Sequence, residues 1–90
     1  MKQIQIDLLS ETINCPVVQM PGRRYPGVIL QGDSLRILLD SADEVQRLCD
    51  SVPDPDLSAA VASLREKLAG YVASYERAMK EAGRELPYSK

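Results

Sequence analysis

Ninety residues and 10.0 kDa amount to one domain, with material for a single core. Hydrophobic residues at 44% and charged residues at 27% match a globular chain, excluding a disordered segment, a collagen-like repeat and a disulfide-rich scaffold. A net charge of −2 has the wrong sign for a generic nucleic-acid binder, though a local basic patch would survive that objection, and no apolar run reaches the roughly 18 residues of a membrane span, so a soluble cytoplasmic protein is expected, with no membrane as its partner and nucleic acid disfavoured.

Residues 2–9 alternate apolar and polar side chains, placing Ile4, Ile6 and Leu8 on one face of a first strand. A polar turn follows over Ser10–Asn14. Cys15–Met20 reads as a second strand, and Pro16 argues that it starts late or lies at a sheet edge. Pro21-Gly22 and Pro26-Gly27 then bracket Arg23-Arg24-Tyr25, and each Pro-Gly pair favours a turn. Val28–Gln31 makes a short third strand, so residues 1–31 form a β meander.

At Gly32 the period changes from two to about 3.5. Asp33 or Ser34 can cap a helix over 33–52, on which Leu35, Leu38, Ala42, Val45, Cys49 and Val52 recur at spacings 3, 4, 3, 4, 3, with Leu39 and Leu48 widening the stripe. Ser41-Ala42-Asp43-Glu44 has the form of a capping box, but the apolar phase runs through it, which favours one continuous helix. Residues 53–56, Pro-Asp-Pro-Asp, form a linker from which Asp56 can cap the next helix. That second helix, 57–82, carries Leu57, Val61, Leu64, Leu68, Tyr71, Tyr75, Ala78 and Ala82 at the same alternating spacing. Leu64 and Leu68 are expected in its core. Gly83 suits the position just past the helix, and 83–90 is a tail.

The side chains that most enzymes use are scarce. The chain has no His, and its two Cys, Cys15 and Cys49, are far apart and read as small apolar residues. Catalytic residues, a metal site and a cofactor are therefore not expected. Asp33 and Ser34 lack a base and serve as a cap, while Asp54 and Asp56 lack the spaced oxygen ligands of a calcium loop. The distinctive chemistry lies at Arg23, Arg24 and Tyr25, a tip that can offer two guanidinium forks to carboxylates or phosphates with Tyr25 as an anchor. Two other roles stay open: a solvated loop with Tyr25 folded onto the core, and docking on an acidic face of Asp40, Asp43, Glu44 and Asp50. Charge is divided along the chain, with seven acidic against two basic groups in residues 32–56 and six basic against four acidic in residues 57–90.

The run from Met20-Pro21-Gly22-Arg23-Arg24-Tyr25-Pro26-Gly27 to Gln31-Gly32-Asp33-Ser34-Leu35 resembles the signature of a bacterial family of small, roughly ninety-residue proteins of unknown function. The resemblance extends to the Ile4-Gln5-Ile6 start and to Tyr75-Glu76 in the last helix, and it implies no activity. Pro26-Gly27 through Leu35 is also similar to the strand-to-helix passage of HicB-type antitoxin domains, which continue into another strand where this chain has a linker and a long helix.

The fold expected is α+β, a three-stranded antiparallel sheet followed by two antiparallel helices in one domain. The function expected is a non-enzymatic protein-binding module of the immunity or antitoxin kind. The alternative is a small regulator that binds an anionic ligand or nucleic acid through Arg23-Arg24-Tyr25. A protein partner is expected, and a homodimer through the long helix is the other assembly in view.

Overall fold

Three short strands follow the apolar segments of the first third of the chain: β1 (Asp7–Ser10), β2 (Val17–Gln19) and β3 (Gly27–Val28). In the computed structural model, which describes residues 2–11 and 15–90, they form an antiparallel sheet in the order β1-β2-β3. Leu8 faces Val18 and Val17 faces Val28, with an irregularity between Leu8 and Ser10. Part of the expected Ser10–Asn14 turn, residues 12–14, lies outside the described residues.

The first strand is shorter than its alternation implies. It begins at Asp7, opposite Gln19, because β2 ends there and the chain turns away at Met20-Pro21. Ile4 and Ile6 therefore have no strand to bond to, and with Leu8 they are exposed. β2 does start late, two residues after Cys15, yet it is the central strand and not an edge. The Pro16 carbonyl, which a proline keeps, accepts the Ile29 N–H at 2.9 Å.

The helices are α1 (Gly32–Cys49) and α2 (Pro55–Glu81). Sheet followed by helices is the α+β order that the periodicities indicate, and α1 passes through Ser41 unbroken. It ends at Cys49 rather than residue 52, where the Val52 N–H donates to the Cys49 carbonyl in a tight turn before Pro53. The cap of α2 is Asp54, not Asp56. Extended at φ −124° and ψ 102°, Asp54 accepts from the N–H groups of Asp56 and Leu57, and Pro55 takes the first helical position, where a missing N–H costs nothing. At the other end Gly83, at φ 68°, closes a Schellman motif: the Gly83 N–H donates to Lys80 and the Arg84 N–H to Met79.

Two compact units result, Met1–Gln31 and Gly32–Lys90. Within the second, Gly32 lies against the Tyr75 ring and Asp43 pairs with Arg65, so α1 and α2 run antiparallel. Their core is Leu35, Leu39 and Val72, with Leu68, Ala69 and Tyr75 packed against it. This corrects the expected stripe. Leu39, 4% exposed, is central, whereas Leu38, Val45 and Val52 are exposed, as is Leu64 at 55%. A helix pair covers only the sector between its axes, and that sector includes one half of each apolar stripe.

The segment after Gly83 is tied back. The Tyr88 hydroxyl donates to Glu76 Oε2 at 3.0 Å, the Arg36 guanidinium lies 5.6 Å from the Tyr88 ring centroid, and Lys90 Nζ is 3.6 Å from Glu76 Oε1. Burial, then the hydrogen bond to Glu76, pushes the Tyr88 phenol above its ordinary 10.0. A raised acid contributes stability while it keeps its proton and loses that contribution as pH rises through the raised value. Spectrophotometric titration is thus expected to show Tyr88 ionising above 10.0, with Glu76→Gln lowering its midpoint. An unchanged titration in Glu76→Gln would refute this contact.

Candidate functional site

The loop from Met20 to Gly27 is built by turn chemistry. Met20-Pro21-Gly22-Arg23 is a type II turn, with Pro21 at its second position, Gly22 at φ 77° at its third and the Arg23 N–H donating to the Met20 carbonyl at 3.2 Å. Only Gly22 needs the left-handed conformation. The Gln19 amide at the end of β2 donates to the carbonyls of Arg23 (2.7 Å) and Met20 (3.2 Å), tying the tip to the strand that carries it.

The loop's side chains line a shallow cavity of about 440 Å³ formed by Met20, Arg23, Arg24, Tyr25 and Gly27. Tyr25 is 70% exposed, so it does not fold onto a core. The Arg24 guanidinium lies over its ring, 5.2 Å from the centroid, an exposed cation–π contact worth about 0.5–1 kcal/mol. Among the described residues neither Arg23 nor Arg24 has a carboxylate within salt-bridge reach. Sequence explains part of this, since no acidic residue lies between Glu11 and Asp33. The tip therefore holds two guanidiniums and an amphipathic ring with their hydrogen-bonding edges in water.

A family model matches residues 1–88, nearly the whole chain. The chain belongs to DUF6959, a family of unknown function. No curated protein and no solved structure shows significant similarity to it.

In this DUF6959 chain the acidic face singled out as the other docking surface is largely spent on internal pairs. Asp40 pairs with Arg36 at 3.2 Å, Glu44 with Arg47 and Asp43 with Arg65, leaving only Asp50 of the four without an ion pair among the described residues. Sequence reading missed this because Arg65 lies on the other helix. The i,i+3 and i,i+4 spacings of the other two pairs were the available signal. Asp33 accepts the Ser34 N–H at 2.8 Å, but α1 already begins at Gly32, so Asp33 and Ser34 lie inside its first turn and neither is the N-cap expected. The described residues contain no group of three or more His, Cys, Asp or Glu placed to hold a metal, and no helix is long and apolar enough to cross a membrane.

Proposed function

We propose that this protein is a non-enzymatic binding module of the bacterial cytoplasm that docks an acidic segment of a protein partner on Arg23, Arg24 and Tyr25, in the manner of an immunity protein or antitoxin. The observation that carries this reading is the two guanidiniums, without an ion pair among the described residues, beside an exposed tyrosine around the 440 Å³ cavity, while Asp40, Asp43 and Glu44 of α1 pair with arginines within the chain. Arg presents a planar fork to carboxylates, and Arg and Tyr are the types enriched among binding hot spots. The type II turn and the Gln19 contacts hold the tip in place, which limits the entropy lost on docking. The likeness of residues 26–35 to HicB-type antitoxins supports the same class of role, and the lack of His argues against an acid–base enzyme.

Affinity capture from bacterial lysate, followed by titration with the purified partner, tests the reading. Arg23→Ala, Arg24→Ala and Tyr25→Ala are each expected to weaken the complex by more than about 1 kcal/mol while leaving Tm nearly unchanged, because the three side chains stand outside any core. Unchanged affinity in all three would overturn it. The second reading, an anionic ligand or nucleic acid on the same loop, is distinguished by salt. Phosphate contacts release counterions, so binding through six to ten of them would fall about 10³-fold or more between 50 and 200 mM salt, and nuclease would abolish it.

A further inference from the structure

The uncovered halves of the two helical stripes lie on one side of the hairpin. At about 100° per residue, Leu38 and Val45 fall on the side of α1 away from Asp43, and Leu64 and Tyr71 on the side of α2 away from Arg65. Since Asp43 and Arg65 meet across one side, these apolar residues share the other. All four are exposed, as are Val52 just beyond α1 and Leu57 in the first turn of α2. The antiparallel register set by Gly32 against Tyr75 and Asp43 against Arg65 places Leu38 level with Tyr71, Val45 with Leu64 and Val52 with Leu57. These are three apolar rungs, seven residues or about 10 Å apart.

We infer that this strip is covered by the same strip of a second copy of the chain, giving a two-fold layer of four helices. Three observations choose this occupant. First, the spacing is strictly heptad from Leu57 to Ala82, and a sustained 3.5-residue repeat keeps a seam turned toward other helices, whereas an isolated straight helix drifts by about 20° per heptad. In a four-helix bundle such a seam points between two neighbours, and here one neighbour is the hairpin's own partner helix. Second, half-exposed Leu, Val and Tyr side chains offer on the order of 100 Å² each, so the six residues, with Ala60, Ala78 and the Lys67 stem beside them, approach the roughly 800 Å² that each partner gives to a standard interface. Third, none of the six is charged, so like-with-like pairing meets no repulsion.

The full chain tests this directly. Light scattering is expected to give twice 10.0 kDa at micromolar concentration, with Tm rising as concentration rises. Val45→Glu and Leu64→Glu are each expected to weaken the dimer at least about 100-fold with helical circular dichroism retained. Ile37→Glu, 63% exposed and off the strip, is expected to leave it intact. A wild-type mass of one chain with a concentration-independent Tm overturns the proposal, as does a dimer that survives both strip substitutions or responds equally to Ile37→Glu. Should the strip variants fail to fold, the wild-type mass and the concentration dependence of its Tm decide by themselves.

Discussion

Leu39→Ala is expected to cost about 2–5 kcal/mol, measured as the shift in urea midpoint at constant slope, while Ile37→Ala, two residues away, is expected to cost less than about 0.5 kcal/mol. Leu39 is 4% exposed and sits in the cluster with Leu35 and Val72; Ile37 points to water. The loss combines the transfer energy of the removed carbons with the void they leave. A chain of this length has about 5–13 kcal/mol in all, so the variant would populate its unfolded state measurably. Equal costs at the two positions would mean that the contact between α1 and α2 is not the core of the helical unit.

Gly32→Ala is expected to destabilise by about 1–3 kcal/mol, even though alanine is the better helix former, lowering Tm by several degrees. A Cβ at Gly32 would overlap the Tyr75 ring, so the ring or the backbone of the first turn of α1 must shift to admit it. The test is a double-mutant cycle. In a Tyr75→Ala background the overlap is gone, so the same Gly32→Ala change is expected to be neutral or slightly stabilising. If Gly32→Ala is harmless in the wild type, this close approach does not exist. The glycine is explained by a neighbour 43 positions away, not by a turn.

The candidate loop was legible because its determinants are local. Pro-Gly pairs, two adjacent arginines and a tyrosine sit within eight residues, and the chain's distribution of acids leaves them without a nearby partner. The competing acidic face was equally visible, but the intrachain pairing of three of its four acids was not. Asp40, Asp43 and Glu44 share α1 with Arg36 and Arg47, and the third cation, Arg65, reaches Asp43 only when the hairpin closes. Whether a charge is available to a partner depends on who already neutralises it, and that is a tertiary property.

The same division runs through the fold. By itself the sequence determined the order of elements, three strands and then two helices, together with the Pro-Gly turn, the unbroken run of α1 and the Gly83 stop, because periodicity and turn chemistry act over a few residues. Only the tertiary structure decided which half of each apolar stripe is buried. Leu38 and Leu39, or Leu64 and Leu68, are alike in propensity and pattern, and the angle at which one helix meets the other selects between them. It also decided where β1 begins. Ile4 and Ile6 alternate as a strand should, but a strand exists only where a neighbour supplies hydrogen bonds, and β2 ends at Gln19.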